Sequence, residues 1–246
     1  MSTSQPENQL LIETLYPLEN KKILLLGNGF SRKELYFLKL GVQKMYYSDL
    51  SMQAVLTIRE WFKNSEMIQS YGDKISFNAI DALNLPFPDE SIDIVYGYYF
   101  AHHMRDTRRF LEEVYRVLRK GGKCVFLDTA YCTAWQVVKK TILKPLMLYS
   151  HWKTGISPED LRVTKKGGYK EEEIKKIMEF INFKEYFFIR VAFFLHLWKR
   201  GVNKIIGSRK VMNAGAPVFH AIDSFFSKHF RMFRENQIKV VWGFHK

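Results

Sequence analysis

The strongest constraint on the fold is a regular alternation of short apolar runs and longer amphipathic runs between residues 22 and 128. Short apolar runs bounded by turn residues are typical of buried strands. Five strands are predicted on this basis, at Lys22–Leu26, Lys44–Asp49, Ile75–Ile80, Ile92–Gly97 and Lys123–Asp128. Strands that alternate with helices form a parallel sheet with helices on both faces. The first half of the chain is therefore expected to be an α/β domain.

Three helices are predicted between these strands, at Ser31–Leu40, Ser51–Ser70 and Thr107–Arg119. Ser31 and Glu34 have the spacing of a capping box, and Gly121-Gly122 is expected to stop the third helix. In the second half, the pattern predicts further helices and two closing strands. Their expected bounds are Trp135–Tyr149 and Lys170–Ile181 for the helices, and Phe183–Leu195 and Gln237–Phe244 for the strands.

Polar and glycine residues follow the predicted strands at the edge where parallel sheets bind ligands. Gly27-Asn28-Gly29 follows the first strand and allows a close approach of the backbone to a ligand. Asp49 ends the second strand, where a carboxylate can accept both hydroxyl protons of a ribose. Asp81 and Ala82 follow the third strand, where Asp81 can accept from an adenine amino group. A dinucleotide site is disfavoured, because Arg32 stands where that fingerprint needs its third glycine.

Four runs carry a resemblance to a known family: KILLLGNGFS, YYSDLS, NAIDALNLPFPDESIDIVYGYYFAHHM and FLEEVYRVLRKGGKCVFLDT. They resemble the class I S-adenosylmethionine-dependent methyltransferases, specifically the type 11 family, over about residues 20–130. The resemblance implies a Rossmann-like fold with a mostly parallel seven-stranded sheet. It also implies S-adenosylmethionine as cofactor, with S-adenosylhomocysteine as product. The family usually has an acid where this chain has Leu25, and a third glycine where it has Ser31.

By this resemblance, each strand end contributes to one cofactor site. Gly27, Asn28 and Gly29 would line the methionine portion, and Asp49 with its neighbour Leu50 would contact the ribose side. The expected adenine residues are Asp81 and Ala82, and those on the sulfonium side are Gly97 and Tyr98.

A general base is predicted from the residues that follow the fourth and fifth strands. His102-His103 follows the fourth strand and Asp128 ends the fifth, and these strands are neighbours in the expected order. A histidine suits proton removal near neutral pH, and a carboxylate can orient it. His102 is therefore the candidate base, Asp128 its partner and His103 a weaker candidate. Packing or hydrogen bonding remains the alternative role of the histidine pair.

Metal chemistry is not expected, because the two cysteines, Cys124 and Cys132, lack ligand spacing. Two cysteines also provide no disulfide framework, and the first 20 residues lack the features of a signal peptide. These observations favour a cytoplasmic protein.

The net charge of +13 is confined to the second half of the chain. Residues 1–128 hold 16 basic and 16 acidic residues, and residues 129–246 hold 22 basic and 9 acidic residues. A basic surface of this kind favours an anionic partner, either an anionic membrane or a phosphate-bearing or lipid-linked acceptor, although solvated cations on a packed helix are an equally simple explanation. RNA is the least favoured partner, because no RNA-binding module is recognisable.

The sequence therefore predicts one methyltransferase domain over residues 1–246. Its expected parts are a cofactor-binding core at 20–130, a lid and acceptor region at 131–170, and a basic helical insertion at 199–236. The expected reaction is methyl transfer to a hydroxyl of a sugar, a glycolipid or a secondary metabolite. Two alternatives stay open: a C-methyltransferase acting on a quinone or lipid at a membrane, and a non-catalytic protein that retains the fold.

Overall fold

A computed structural model describes residues 6–131, 169–181, 183, 185–191, 209–229 and 239–246. Within these ranges the chain forms a seven-stranded sheet in the order β3-β2-β1-β4-β5-β7-β6. All neighbouring strands among the first five, β1 through β5, are parallel, and β7 runs antiparallel to both β5 and β6. The predicted mostly parallel sheet is confirmed.

The strands of the sheet are β1 (Lys22–Leu26), β2 (Lys44–Asp49), β3 (Ile75–Ala79), β4 (Ile92–Tyr98), β5 (Leu118–Thr129), β6 (Glu185–Val191) and β7 (Lys239–His245). The α-helices are α1 (Pro6–Leu15), α2 (Met52–Lys63), α3 (Met67–Tyr71), α4 (Thr107–Val117), α5 (Glu171–Ile181) and α6 (Arg209–His229). Three 3₁₀ segments complete the described elements, at Lys33–Leu40, Gly72–Lys74 and Ala101–His103.

Each face of the sheet has its own hydrophobic core. Alternate residues of β1 separate between them, since Leu24 and Leu26 lie in one core and Ile23 and Leu25 in the other. The first core holds the buried faces of α4 and α5. The second core holds α1, the 3₁₀ segment Lys33–Leu40 and α2. Helices therefore cover both faces, as the alternation of elements predicts.

The segment after β1 differs from the predicted capped helix. It is a 3₁₀ helix that begins at Lys33, and the preceding Arg32 makes no capping hydrogen bond with its side chain. The Ser31 hydroxyl instead donates to the Glu34 carboxylate at 2.5 Å. The predicted capping box is therefore wrong, because the serine bonds to the glutamate side chain rather than to a backbone amide.

Other boundaries shift by a few residues. The predicted helix Ser51–Ser70 is interrupted after Lys63 and resumes as the short α3. Helix α4 ends at Val117, so the predicted stop at Gly121-Gly122 is wrong, and both glycines lie inside β5. Gly121 has a φ of 75°, which marks an irregular start of that strand. Helix α1 has no counterpart in the sequence predictions.

Two expected regions lie mainly outside the described residues. Of the lid and acceptor region at 131–170, only residues 131, 169 and 170 are described, so the predicted helix Trp135–Tyr149 and Cys132 fall outside. Of the basic insertion at 199–236, the described part is α6. Among the helices of the described ranges, none is both long and apolar enough to cross a membrane.

Candidate active site

The candidate site lies at the edge of the sheet where β1, β2, β4 and β5 end. The strand order reverses at β1, because β2 lies on one side of β1 and β4 on the other. Leu26 at the end of β1 is in register with Gly97 near the end of β4. A crevice outside the strand ends is expected at such a reversal of strand order. The predicted cofactor residues belong to the turns that border this point.

The two glycines of the Gly27-Asn28-Gly29 turn have different surroundings. Both have a left-handed backbone, with φ of 63° at Gly27 and 53° at Gly29. A Cβ added at Gly27 would lie 1.8 Å from Cδ2 of the Phe100 ring, whereas one added at Gly29 would meet nothing within 4 Å. The packing of Phe100 therefore requires Gly27, and the backbone at Gly29 faces open space.

Asp49 ties this turn to the end of β2. Its Oδ2 accepts the Gly29 amide at 2.7 Å, and its Oδ1 accepts the Ser51 amide at 2.8 Å. The carboxylate is half-buried. Each oxygen of a carboxylate can accept about two hydrogen bonds, so each keeps capacity for one more donor. Asp49 can therefore shape the turn and bind a ligand hydroxyl at the same time.

Asn28 is a buried amide at the centre of the same turn. Its side chain is 7% exposed, and neither its oxygen nor its nitrogen has a hydrogen-bond partner within the part of the chain that the structure describes. Buried amide groups are almost always hydrogen-bonded, and an orphan costs about 1–3 kcal/mol. A polar ligand that reaches this turn would satisfy it.

The predicted adenine side is formed by the turn after β3. The Asp81 carboxylate accepts the Leu83 amide at 2.9 Å and is exposed, and Ala82 is buried. Leu50, which follows Asp49, is 74% exposed. Leu50 is thus an exposed apolar side chain next to the Asp49 carboxylate, and such a side chain is suited to cover the flat face of a ring.

A charged network that was not predicted from the sequence fixes the segment that follows this turn. The Glu113 carboxylate of α4 accepts the Leu85 amide at 2.9 Å and binds Arg116, whose guanidinium donates to the carbonyls of Leu85 and Phe87. Arg116 therefore keeps the pKa of the buried Glu113 carboxyl below its usual value of 4.5. A glutamate beside the apolar stripe of α4, three residues before an arginine, is the signal that could have revealed this pair.

The end of β4 is lined by aromatic side chains. A Cβ added at Gly97 would lie 2.9 Å from the Phe126 ring and 3.2 Å from the Phe100 ring, so Gly97 packs against aromatic side chains. Tyr98 is half-buried and contacts Tyr99 edge to face at 4.8 Å. Tyr99 has a φ of 51°, a conformation that is strained for a bulky residue and is often found at functional sites.

Beyond this bend, His102 and Asp128 form a pair. The His102 ring contacts the Asp128 carboxylate through Nδ1, and the His102 backbone amide donates to Oδ2 of the same carboxylate at 2.9 Å. The Thr129 amide donates to Oδ1 at 2.8 Å. Asp128 is fully buried, and the His102 side chain is 8% exposed. Because Nδ1 faces a carboxylate, the neutral ring carries its proton on Nδ1, and Nε2 is left as the acceptor.

His103 is placed differently from its neighbour. Its ring contacts that of His102 in a tilted arrangement, with centroids 4.0 Å apart and an interplanar angle of 38°, and the residue is exposed. The structure therefore brings together His102 and Asp128 as predicted, with His103 on the outer side of the pair.

No group of three or more His, Cys, Asp or Glu side chains that could hold a metal ion occurs in the described ranges. Cys124 is buried in the first core, and burial raises the pKa of its thiol well above the usual value. A buried thiol of this kind packs as a small apolar residue.

Comparison with known proteins identifies the domain that carries this site. Residues 24–126 match the family model described as "Methyltransferase domain". This part of the chain belongs to the class I S-adenosylmethionine-dependent methyltransferases. The matched residues run from β1 into β5, so they contain the glycine turn, Asp49, the turn after β3 and His102.

Relatives of this methyltransferase domain are named for different reactions. The chain is 32% identical over 120 residues to an uncharacterized methyltransferase, YcgJ, from Bacillus subtilis, covering 48% of this chain and 45% of that protein. It is 39% identical over 59 residues to a probable tocopherol O-methyltransferase of Oryza sativa, covering 24% and 16%. It is 43% identical over 58 residues to the ubiquinone/menaquinone biosynthesis C-methyltransferase UbiE of Desulfotalea psychrophila, covering 24% of each. The matches span less than half of the length of these relatives.

The crystal structure of YcgJ from Bacillus subtilis superposes on this chain with a TM-score of 0.57. The two are 19% identical in this superposition, which covers 97% of each chain. The similarity extends the shared fold beyond residues 24–126.

Proposed function

We propose that the chain is an S-adenosylmethionine-dependent O-methyltransferase that acts on a hydroxyl of a small molecule, such as a sugar, a glycolipid or another secondary metabolite. The observation that carries the proposal is the His102–Asp128 pair at the ends of β4 and β5, where β4 is the neighbour of the strand that precedes the glycine turn. In this proposal His102 is the general base and Asp128 orients it.

Three features of the described residues fit the cofactor. Asp49 keeps capacity for the ribose hydroxyls, Gly29 leaves space for a close approach, and Asn28 offers an unsatisfied amide to the polar methionine end. Leu50 and the turn at Asp81 and Ala82 would border the adenine. When bound, the cofactor supplies a methyl group on a sulfonium as the electrophile.

The pair supports proton removal from the acceptor. Asp128 binds both the backbone amide and Nδ1 of His102, which fixes the orientation and the tautomer of the ring. Nε2 could then accept the proton that the acceptor hydroxyl loses on methylation, and the cofactor would leave as the neutral thioether S-adenosylhomocysteine. The buried Asp128 carboxylate stabilises the imidazolium that results.

The need for such a base favours oxygen over nitrogen as the methylated atom. A neutral amine already offers a lone pair to the methyl group, whereas a hydroxyl is a poor nucleophile until its proton is taken. The relatives do not decide between the classes, because their names include O-, C- and N-methyltransferases.

A second candidate is C-methylation of a quinone or lipid at an anionic membrane surface. Helix α6 exposes Val218 and Phe225, which lie seven residues apart on one face, and Lys228 is exposed one turn after Phe225. An apolar stripe bordered by cations is typical of helices that lie at a membrane surface. Salt-sensitive flotation of the protein with anionic liposomes would support this candidate, and no association at low salt would count against it.

The test is methyl transfer from isotopically labelled S-adenosylmethionine to three acceptor panels. These contain sugars, glycolipids and polyphenols as hydroxyl acceptors, quinones as carbon acceptors and simple amines as nitrogen acceptors. The product is identified by the NMR shift of its methyl group. We expect O-methyl products, and C- or N-methyl products without any O-methyl product would contradict the proposal.

His102→Ala tests the base once an acceptor is found. General base catalysis typically contributes about 10²- to 10⁴-fold, so we expect transfer to fall by this factor. Affinity for S-adenosylhomocysteine, measured by calorimetry, should stay within about twofold. The matched variant His103→Ala should have a much smaller effect. If both variants lost methyl transfer to the same extent, the contact with Asp128 would not distinguish His102 as the base.

A further inference from the structure

Tyr169 lies beneath the turn that carries His102. Its side chain is 1% exposed, and its hydroxyl donates to the carbonyl of Ala101, the residue that precedes His102. The same carbonyl accepts the Met104 amide at 3.0 Å. The turn Ala101–His103 is a single 3₁₀ turn, which has few hydrogen bonds of its own. The hydrogen bond from the Tyr169 hydroxyl therefore stabilises a turn that has few hydrogen bonds of its own.

The backbone of Tyr169 is bound beside Asp128. Its amide donates to the carbonyl of Thr129 at 2.9 Å, and its carbonyl accepts the Tyr131 amide at 2.8 Å. These bonds form a parallel bridge that continues the pairing of β5 past its end. Thr129 directly follows Asp128, so the main chain of Tyr169 holds the segment that carries the carboxylate.

The ring of Tyr169 is held between these two attachments. It contacts the ring of Trp242 at a centroid distance of 5.3 Å and an interplanar angle of 60°, and Trp242 is fully buried on β7. Burial raises the pKa of the Tyr169 phenol well above its usual value, so the hydroxyl keeps its proton and remains a donor.

We propose that Tyr169 is the positioning residue of the His102–Asp128 pair, because one residue binds the turn before the histidine through its side chain and the segment after the aspartate through its backbone. This inference rests on the proposed function, in which that pair is the catalytic base. Tyr169 falls in the region predicted from the sequence to be a lid, and in the structure it is buried in the first core. Its role is to fix the relative position of the two strand ends.

The test reads the tautomer of His102 in the ligand-free protein. Long-range ¹⁵N–¹H NMR separates the Nδ1-protonated from the Nε2-protonated ring, and the His102 signals are assigned by their loss in His102→Ala. In the wild type we expect a ring protonated on Nδ1. In Tyr169→Phe, which removes only the hydroxyl, we expect the two nitrogen resonances to move towards each other as the second tautomer becomes populated. Calorimetry with S-adenosylhomocysteine should give an affinity within about twofold of the wild type.

Tyr96→Phe is the matched control. Tyr96 is also a fully buried tyrosine, and its hydroxyl has no hydrogen-bond partner within the described residues. Its replacement should leave the His102 resonances unchanged. Wild-type-like His102 signals in a folded Tyr169→Phe would overturn the inference alone. A wild-type His102 that is not protonated on Nδ1 would contradict the proposed function, and the inference with it.

A second measurement on the wild type covers the case in which Tyr169→Phe does not fold. The His102 amide donates to Asp128 and the Tyr169 amide donates to Thr129, so both can be followed by native-state hydrogen exchange. If Tyr169 joins the two segments, the two amides should open together, with protection factors that agree within about threefold. Exchange of the His102 amide while the Tyr169 amide stays protected would overturn the inference.

Discussion

Two carboxylates end strands at the same edge of the sheet, and their surroundings differ. Asp49 is half-buried, and its two oxygens accept the backbone amides of Gly29 and Ser51. Asp128 is fully buried, and its oxygens accept the Thr129 amide and two groups of His102. Asp49 keeps room for further donors, whereas Asp128 is committed to one histidine. Both carboxylates belong to the site because they lie at strand ends. Their burial and their hydrogen-bond partners determine whether each one binds a ligand or orients a base.

Asp128→Asn should have the largest effect. The amide keeps the shape of the side chain but removes the charge that stabilises the imidazolium and can support the wrong tautomer of His102. Methyl transfer to an acceptor from the O-methylation panel should fall by about 10²- to 10⁴-fold. Cofactor affinity should change little, because the carboxylate faces the histidine. If Asp128→Asn lost cofactor affinity but kept its methyl-transfer rate, Asp128 would be a cofactor-binding residue and not the partner of the base.

Asp49→Ala should show the opposite pattern. Loss of the ribose hydrogen bonds should weaken S-adenosylhomocysteine by about 1–3 kcal/mol, measured by calorimetry. Asp49→Asn separates the two tasks of this side chain, because the amide oxygen can still accept the Gly29 amide. It should retain more affinity than Asp49→Ala. An unchanged affinity in both variants would reject Asp49 as a cofactor residue.

Asn28→Ala sharpens the comparison at the glycine turn. Removal of a buried amide with no partner in the described part of the chain should leave the ligand-free protein equally stable or more stable, by up to about 1–2 kcal/mol. Affinity for S-adenosylhomocysteine should fall by a comparable free energy if the amide binds the methionine portion. Thermal denaturation with and without the ligand measures both changes. A protein that loses stability and keeps its affinity would show that Asn28 is structural.

Glu113→Gln has the smallest expected effect and tests a carboxylate that is purely structural. Arg116 lowers the pKa of Glu113, so the charged pair stabilises the fold above about pH 4.5, and that stabilisation is lost as the pH falls through the lower folded-state value. Glu113→Gln should therefore lose about 1 kcal/mol of unfolding free energy at neutral pH, and the difference from wild type should shrink on acidification. Glu112 lies on the same helix, is half-buried and pairs with the exposed Arg108, so Glu112→Gln is a control with a smaller expected effect. A difference that is independent of pH would contradict the assignment.

The parts of the fold that follow from local pattern could be predicted. The alternation of strands and helices gave the sheet, and the adjacency of β4 and β5 brought His102 to Asp128. The 3₁₀ helix after Arg32 could not be predicted, because a capping sequence does not reveal which partner the serine will choose. The start of β5 depends on the left-handed Gly121, which also reads as a helix stop.

Contacts between distant segments could not be predicted either. The Tyr169 hydroxyl reaches Ala101 across 68 positions of the chain, and no local pattern announces that contact. Gly27 and Gly97 are predicted cofactor residues, and the structure adds that the Phe100 ring packs against both. A glycine that admits a ligand and one that admits a neighbouring side chain look the same in a sequence. Only the packing around them distinguishes the two.

The most direct test of the account is a crystal structure of the protein soaked with S-adenosylhomocysteine. We expect the ribose hydroxyls within hydrogen-bond distance of the Asp49 carboxylate, and the His102 ring still bound to Asp128 with Nε2 towards the homocysteine sulfur. Ligand density away from the ends of β1 and β2, or an Asp49 carboxylate turned from the ribose, would contradict it.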